Sequence, residues 1–257
     1  MPVIRKSVLL PALAILTIGT LAGEDSGAAT PKNAPLSVDQ IVDNLVRRNE
    51  ERSRALLRYE ATRTYHLTYR GFPGGQEAEM TVEASYQRPM AKDFKIISQS
   101  GSKLIIDHVF KRLLASEQEA AQPEMNARTQ LNRDNYDFTL GGFEPSQTGG
   151  QYVLNVSPKA KSKYVYRGKI WVDAKDFAVV RIEAEPAQNP SYWTKKSEIH
   201  HEYMKVQDFW LPARNESVSL IRLGGRATLT IEYKDYHVIG ADPASSASLT
   251  SSATGSR

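Results

Sequence analysis

Two periods alternate along this chain. A repeat near 3.6 residues runs through Val38, Ile41, Val42, Leu45 and Val46, with Asp39, Asp43, Arg47, Arg48 and Glu50 largely off that stripe, and predicts an amphipathic helix. Ser37-Val38-Asp39-Gln40 marks its start with the spacing of a capping box, in which the serine hydroxyl accepts from the third amide and the glutamine reaches back. From Arg58 the period switches to two. Tyr59, Ala61, Tyr65, Leu67 and Tyr69 share one face, interrupted by Arg63, while Glu60, Thr62, Thr64, His66 and Thr68 share the other. After the turn Gly71 to Gly75, Ala78, Met80, Val82, Ala84 and Tyr86 alternate with polar residues, so the two segments read as a long hairpin. Pro89 cannot donate to a ladder and ends it, and a short strand follows around Phe94 to Gln99.

Beyond Gly101 the helical period returns in Ile106, Val109, Phe110, Leu113 and Leu114, and Pro123 is the expected stop. The polar stretch from Glu124 to Arg133 reads as a loop or a further helical turn. Strands are then expected near 135–143, 151–157, 163–174, 177–185, 194–206, 209–222 and 226–237. In the most informative of these, Tyr164, Tyr166, Ile170 and Val172 share one face, Ala178, Val180 and Ile182 share one face of the next, and Asp173 to Asp176 reverse the chain. About ten strands thus share two helices, and such a sheet must close, stack in two layers or curl around a filling.

The first residues change the picture of where the protein acts. Arg5 and Lys6, an apolar stretch from Val8 to about Leu21, and small residues thereafter have the layout of a signal peptide cleaved after Ala22 or Ala29. The stretch is shorter than the roughly 18 to 20 residues that span a bilayer. The expected organisation is a signal peptide and start of a tether over 1–29, a flexible tether over 30–35, one domain over 36–239 and a disordered, Ser- and Ala-rich tail over 240–257. With 0 cysteines, no disulfide framework and no lipid-attachment cysteine is available, so stability must come from a core.

Charge narrows the partners. The 33 Lys and Arg against 29 Asp and Glu leave +4, spread in alternation along strands rather than clustered, which argues against nucleic acid. Lys159, Lys161, Lys163, Arg167 and Lys169 read first as a solvated, lysine-guarded edge and second as a transient contact with anionic membrane headgroups. Trp171, Trp193 and Trp210, with Tyr164, Tyr166, Tyr192 and Tyr203, read as half-buried sheet aromatics or as the rim of an apolar cavity.

Catalysis is not expected. Of His66, His108, His200, His201 and His237, the adjacent His200 and His201 point to opposite faces of a strand and cannot chelate one metal together. No His-Glu-x-x-His, Gly-x-Ser-x-Gly or phosphate-binding glycine loop is present, and Gly141-Gly142, Gly149-Gly150 and Gly224-Gly225 read as turn or bulge glycines. No catalytic residue, metal or cofactor is therefore assigned.

Several phrases resemble the outer-membrane lipoprotein carrier, or LolA-like, superfamily that also includes regulators of the RseB type. They are the helix from Ser37, the strand running into Tyr86-Gln87-Arg88-Pro89, Gly168-Lys169-Ile170-Trp171-Val172-Asp173 with Asp176 and Val179-Val180-Arg181, and Asp208-Phe209-Trp210-Leu211-Pro212. The resemblance implies a mainly β, α+β fold: an open, curved antiparallel half-barrel whose two amphipathic helices cover an apolar cavity for acyl chains. Its lining would be Tyr65, Leu67, Met80, Val82, Phe94 and Ile96 on the earlier strands, with Ile170, Val172, Val180, Ile182, Leu229 and Ile231 on the later ones. Ile41, Leu45, Ile106 and Phe110 would form the lid. In the carriers an arginine of an Arg-Pro pair latches the lid, a role that Arg88 matches. The chain departs from the carriers after Gly101, where they continue with a strand and this sequence reads helical.

The resemblance further implies a periplasmic monomer that carries lipid or lipoprotein acyl chains, with envelope membrane proteins as possible partners. The alternative it implies is a periplasmic sensor or regulator that binds a partner protein.

Overall fold

A computed structural model of the chain describes residues 36–239 apart from 89–90, 121–122, 147–148, 190 and 223. The expected signal peptide, tether and C-terminal tail lie outside the described residues. Helix α1 is Val38–Ala55 and starts on the expected capping box: Gln40 N–H donates to Ser37 Oγ at 3.2 Å and Ser37 N–H to Gln40 Oε1 at 2.9 Å. Helix α2 is a continuous run made of Lys103–Ile105, a π-helical turn Ile106–Phe110 and Lys111–Ala120. The polar stretch beyond it forms a short helix α3, Pro123–Thr129, so Pro123 opens a helix, consistent with proline's tolerance in a first turn.

The strands are β1 Arg58–Arg70, β2 Gln76–Gln87, β3 Ala91–Gly101, β4 Tyr136–Glu144, β5 Gln151–Pro158, β6 Tyr166–Asp173, β7 Val179–Pro186, β8 Thr194–Val206, β9 Phe209–Ile221 and β10 Arg226–Ile239. They form one antiparallel sheet of 10 strands in the order β3-β2-β1-β10-β9-β8-β7-β6-β5-β4. The sheet is curved and unclosed, an open half-barrel with β3 and β4 as its edges. Every neighbouring pair is a hairpin except β1 with β10, which joins the two ends of the domain at the middle of the sheet.

Three bodies of core lie on the inner face, and two of them lie beneath the helices. Ile41, Val42 and Leu45 of α1 pack on Tyr136, Leu154, Val156, Tyr166, Ile170, Val172, Ile182 and Ile199, covering β4 to β8. Ile105, Ile106, Phe110, Leu113 and Leu114 of α2 pack on Tyr65, Leu67, Ala78, Met80, Val82 and Leu229, covering β1, β2 and β10. Each fully buried aliphatic side chain contributes about 1.5–3 kcal/mol, so these apolar stripes are the main attachment of both helices.

A bulge corrects one sequence expectation. In β7, Val180 is the extra residue: Trp171 lies opposite Arg181 and Val172 opposite Val179. The inserted residue flips the alternation, so Val179 packs toward the inner core while Val180 joins Val153, Trp171 and Trp210 on the outer face. Val180 therefore does not share a face with Ile182. In β3 a bulge at Ile97 pairs Val82 with Ile96. Ile96 sits on an edge strand and stays 41% exposed, since an edge lacks a neighbour on one side.

Candidate functional site

Between the footprints of the two helices, the middle of the inner face is left partly open. Strand pairing sets the rows there. Tyr65 lies opposite Ile231, Ile231 opposite Asn215 and Asn215 opposite His201, giving one row across β1, β10, β9 and β8. The next row is Leu67, Leu229, Ser217 and Ile199, and Arg63 pairs with Tyr233 on the other side. Neighbouring strands are about 4.8 Å apart, so the side chains of a row stand shoulder to shoulder.

Apart from Leu67, these rows line a cavity whose walls also include Leu56 just past the end of α1, Leu113 and Glu117 of α2, and Leu211. The space open to the centres of water-sized molecules is about 90 Å³. A cavity of about 150 Å³ holds a benzene ring, so this is room for a small head group rather than for a whole acyl chain.

One wall is charged. Both carboxylate oxygens of Glu117 accept from Nη1 of Arg63 at 2.9 Å, and Lys92 Nζ donates to Glu117 Oε1 at 2.9 Å. The Arg63 guanidinium lies 5.2 Å from the Phe94 ring centre and 5.0 Å from that of Tyr233. Burial would raise the carboxyl pKa of Glu117, but the cations of Lys92 and Arg63 outweigh it and hold it at about 2. Burial likewise opposes the charge of Arg63, and Glu117 outweighs it, keeping the guanidinium pKa well above its ordinary value.

The opposite wall is polar but neutral. His201 is buried at 6% exposure, and desolvation, followed by the charge of neighbouring His200, lowers its pKa to about 4. Asn215 Nδ2 donates to the Tyr233 hydroxyl at 2.8 Å. Four buried polar atoms on residues that line this cavity have no hydrogen-bond partner among the described residues: Arg63 Nε, Tyr65 Oη, His201 Nδ1 and Asn215 Oδ1. Among the described residues, no carboxylate orients the His201 ring through Nδ1.

Of the residues assigned to a cavity from sequence, the structure brings Tyr65, Leu229 and Ile231 into this one. Leu67, Met80 and Val82, with Phe94 at their margin, lie beneath α2, and Ile170, Val172 and Ile182 lie beneath α1. Ile41 and Leu45 of α1 and Ile106 and Phe110 of α2 are buried on the sheet. Arg88 Nη1 donates to the carbonyl of Arg54 in the last turn of α1 at 2.7 Å, and its N–H donates to the Leu57 carbonyl at 2.8 Å. Arg63, Lys92, Glu117, His201 and Asn215 were not assigned to a site from sequence. Only Arg63 carried a local signal, as the one charge on an apolar strand face; its partner Glu117 is 54 residues away.

No family model matches the chain, and no curated protein matches it. Among solved structures it is similar to a DUF1329 family protein from Desulfovibrio piger, at 14% identity over 80% of this chain and 95% of that one, with a TM-score of 0.39. It is also similar to a LolA superfamily protein from Nitrosomonas europaea, at 9% identity over 80% and 94%, TM-score 0.35. A third is the MucA/MucB complex of Pseudomonas aeruginosa, at 9% identity over 77% of this chain and 98% of that one, TM-score 0.24. The LolA superfamily neighbour belongs to the group that the sequence phrases resemble. At TM-scores this low, function has to be read from the geometry of this chain.

Proposed function

We propose that this protein is an exported, non-catalytic carrier that shields the apolar chain of a lipid or lipid-anchored protein during transfer across the cell envelope. The observation that supports this reading is the inner face itself, sealed by helices on both flanks and open over its central strands. Since the open space admits only the first atoms of a chain, a complete acyl chain requires α1 or α2 to move aside. The chain would then replace Ile41, Leu45, Ile106 or Phe110 on the residues now beneath them, such as Met80, Val82, Ile170 and Ile182. Burial of each methylene is worth about 0.8 kcal/mol, so a sixteen-carbon chain contributes at most about 13 kcal/mol. Releasing the helix stripe offsets much of that and keeps the guest exchangeable. In this scheme Arg88 is the latch, through its bond to α1.

Native mass spectrometry of the protein purified from the envelope fraction, followed by lipid extraction, tests the proposal. A co-purifying lipid or lipopeptide that is lost in Ile231→Asp supports it; an apo mass that also fails to take up added lipid rejects it.

One observation favours a second reading, a regulator that binds a partner protein. Both edges of the sheet carry exposed apolar side chains, Ile96 and Ile97 on β3 and Leu140 and Phe143 on β4. An exposed edge with apolar groups is a template for a partner strand. Recovery of a stable protein partner lost in Ile97→Lys, with no lipid bound, would select this reading.

A further inference from the structure

The charged wall and the unpartnered atoms of the cavity say more than that an apolar chain fits. Arg63, Lys92 and Glu117 are packed together with little solvent, two cations sharing one carboxylate, and so, among the described residues, leave one positive charge uncompensated. Isolated charge at a buried position is costly unless something pairs with it. Arg63 and Tyr65 both line the cavity at 3% and 1% exposure, and Arg63 Nε and the Tyr65 hydroxyl have no hydrogen-bond partner among the described residues. The Tyr65 hydroxyl feels the neighbouring guanidinium but makes no well-formed hydrogen bond to it. Two unpaired donors beside one surplus positive charge match a monoanion with two acceptor oxygens.

Size decides between head groups. A carboxylate takes three heavy atoms and fits a space smaller than the roughly 150 Å³ that holds a benzene ring, with the chain running on along the apolar lining. A phosphodiester with its substituent would fill it. The far wall is compatible with the same guest: turning the Asn215 amide by half a turn lets the Tyr233 hydroxyl donate to Oδ1 and presents Nδ2 to the cavity as a third donor. The apolar lining continues from this head position through Ile231, Leu229 and Leu113.

We propose that the cavity selects a single-chain amphiphile with a carboxylate head, a fatty acid, whose carboxylate accepts from Arg63 Nε and the Tyr65 hydroxyl while its chain lies on Ile231, Leu229 and Leu113. This rests on the carrier reading and names its guest.

The full chain, stripped of bound lipid, is titrated at neutral pH with dodecanoate, dodecanol, dodecyltrimethylammonium and a triacylated lipopeptide, with binding read by native mass spectrometry and intrinsic fluorescence. Dodecanoate is expected to bind at least tenfold more tightly than dodecanol and to exclude the ammonium. Tyr65→Phe removes one donor without emptying the core, and is expected to weaken dodecanoate about tenfold while leaving dodecanol unchanged. Arg63→Gln should abolish the preference, with circular dichroism checking that the variant folds; should it not fold, Tyr65→Phe carries the test alone. Equal affinity for dodecanoate and dodecanol, or a Tyr65→Phe variant that keeps its preference, overturns the carboxylate assignment. If the lipopeptide still binds in that case, the carrier reading stands; if the folded protein takes up none of the four, both fall.

Discussion

Helices α1 and α2 cover two halves of the same inner face by different chemistry. The α1 half is apolar under the helix and tied at both ends. Arg133 Nη2 donates to the Asp39 carbonyl at 2.6 Å and pairs with Asp39 and Asp43, while Arg52 donates to the carbonyls of Asp176 and Phe177 at 2.8 and 3.0 Å. The α2 half interrupts its apolar stripe with Glu117, which reaches down to a buried arginine and lysine, and contains a π-helical turn, a feature common at functional sites. An apolar interface on one side and a buried charge cluster beside an open cavity on the other make α1 the fixed cover and α2 the better candidate for the helix that yields.

The sharpest way to break this comparison is to remove the carboxylate. Glu117→Gln leaves Arg63 and Lys92 buried without an anion, and breaking a buried pair in this way costs about 3–5 kcal/mol. Urea unfolding should show that loss, and hydrogen exchange should show α2 amides opening before those of α1. Loss of protection spread evenly over both helices would mean that the halves are not distinct.

Leu45→Ala is the corresponding change in the other half. Leu45 is fully buried, and truncation should cost about 2–5 kcal/mol through lost contacts and a cavity. Because α1 has no charge cluster to release, the expected outcome is a lower urea midpoint with no selective opening of α1 and no gain in uptake of the lipopeptide.

How much of this contrast is legible in sequence depends on the range of the interactions. The α1 boundaries are local: a capping box followed by an apolar stripe, both within a few residues of Ser37. The strands are legible for the same reason, since alternation is a property of each segment. What escapes is whatever another segment sets. Val180 changes face because β6 imposes a bulge on β7, and no count along β7 alone shows that. Arg63 stands out as a charge on an apolar face, yet the identity of its partner depends on where α2 docks. The row from Tyr65 to His201 exists only because β1 pairs with β10, residues from opposite ends of the domain. A cavity made between elements is thus the least local feature of the molecule and the last to be read.

Acid should act first on the cavity side. The unfolded His201 imidazole titrates near 6.5 and the folded one at about 4, so the unfolded chain binds the extra proton between those values and stability falls as pH drops through this window. The full loss is about 3 kcal/mol. Glu117 adds a second window: its folded pKa of about 2 lies below the ordinary 4.5, so the stability it contributes is present above 4.5 and is lost as pH falls from there toward 2. The urea midpoint followed against pH should therefore fall in two stages, and His201→Gln should remove the first. A single stage that His201→Gln leaves unchanged would separate acid sensitivity from this cavity.

The smallest expected effect tests the latch. Arg88→Ala removes one hydrogen bond to the Arg54 carbonyl at the exposed end of α1, a net change of no more than about 1 kcal/mol. That modest size suits a latch, because a bond strong enough to dominate α1 would also prevent release of a guest. A change of about 1 kcal/mol shifts a closed-to-open ratio by about fivefold, so a latch on a moving α1 would give Arg88→Ala about fivefold readier lipopeptide uptake, whereas with α1 as the fixed cover uptake stays unchanged and the urea midpoint hardly moves. Arg88→Ala with unchanged uptake but Glu117→Gln with faster uptake would assign the moving cover to α2 alone, since Arg88 holds only α1.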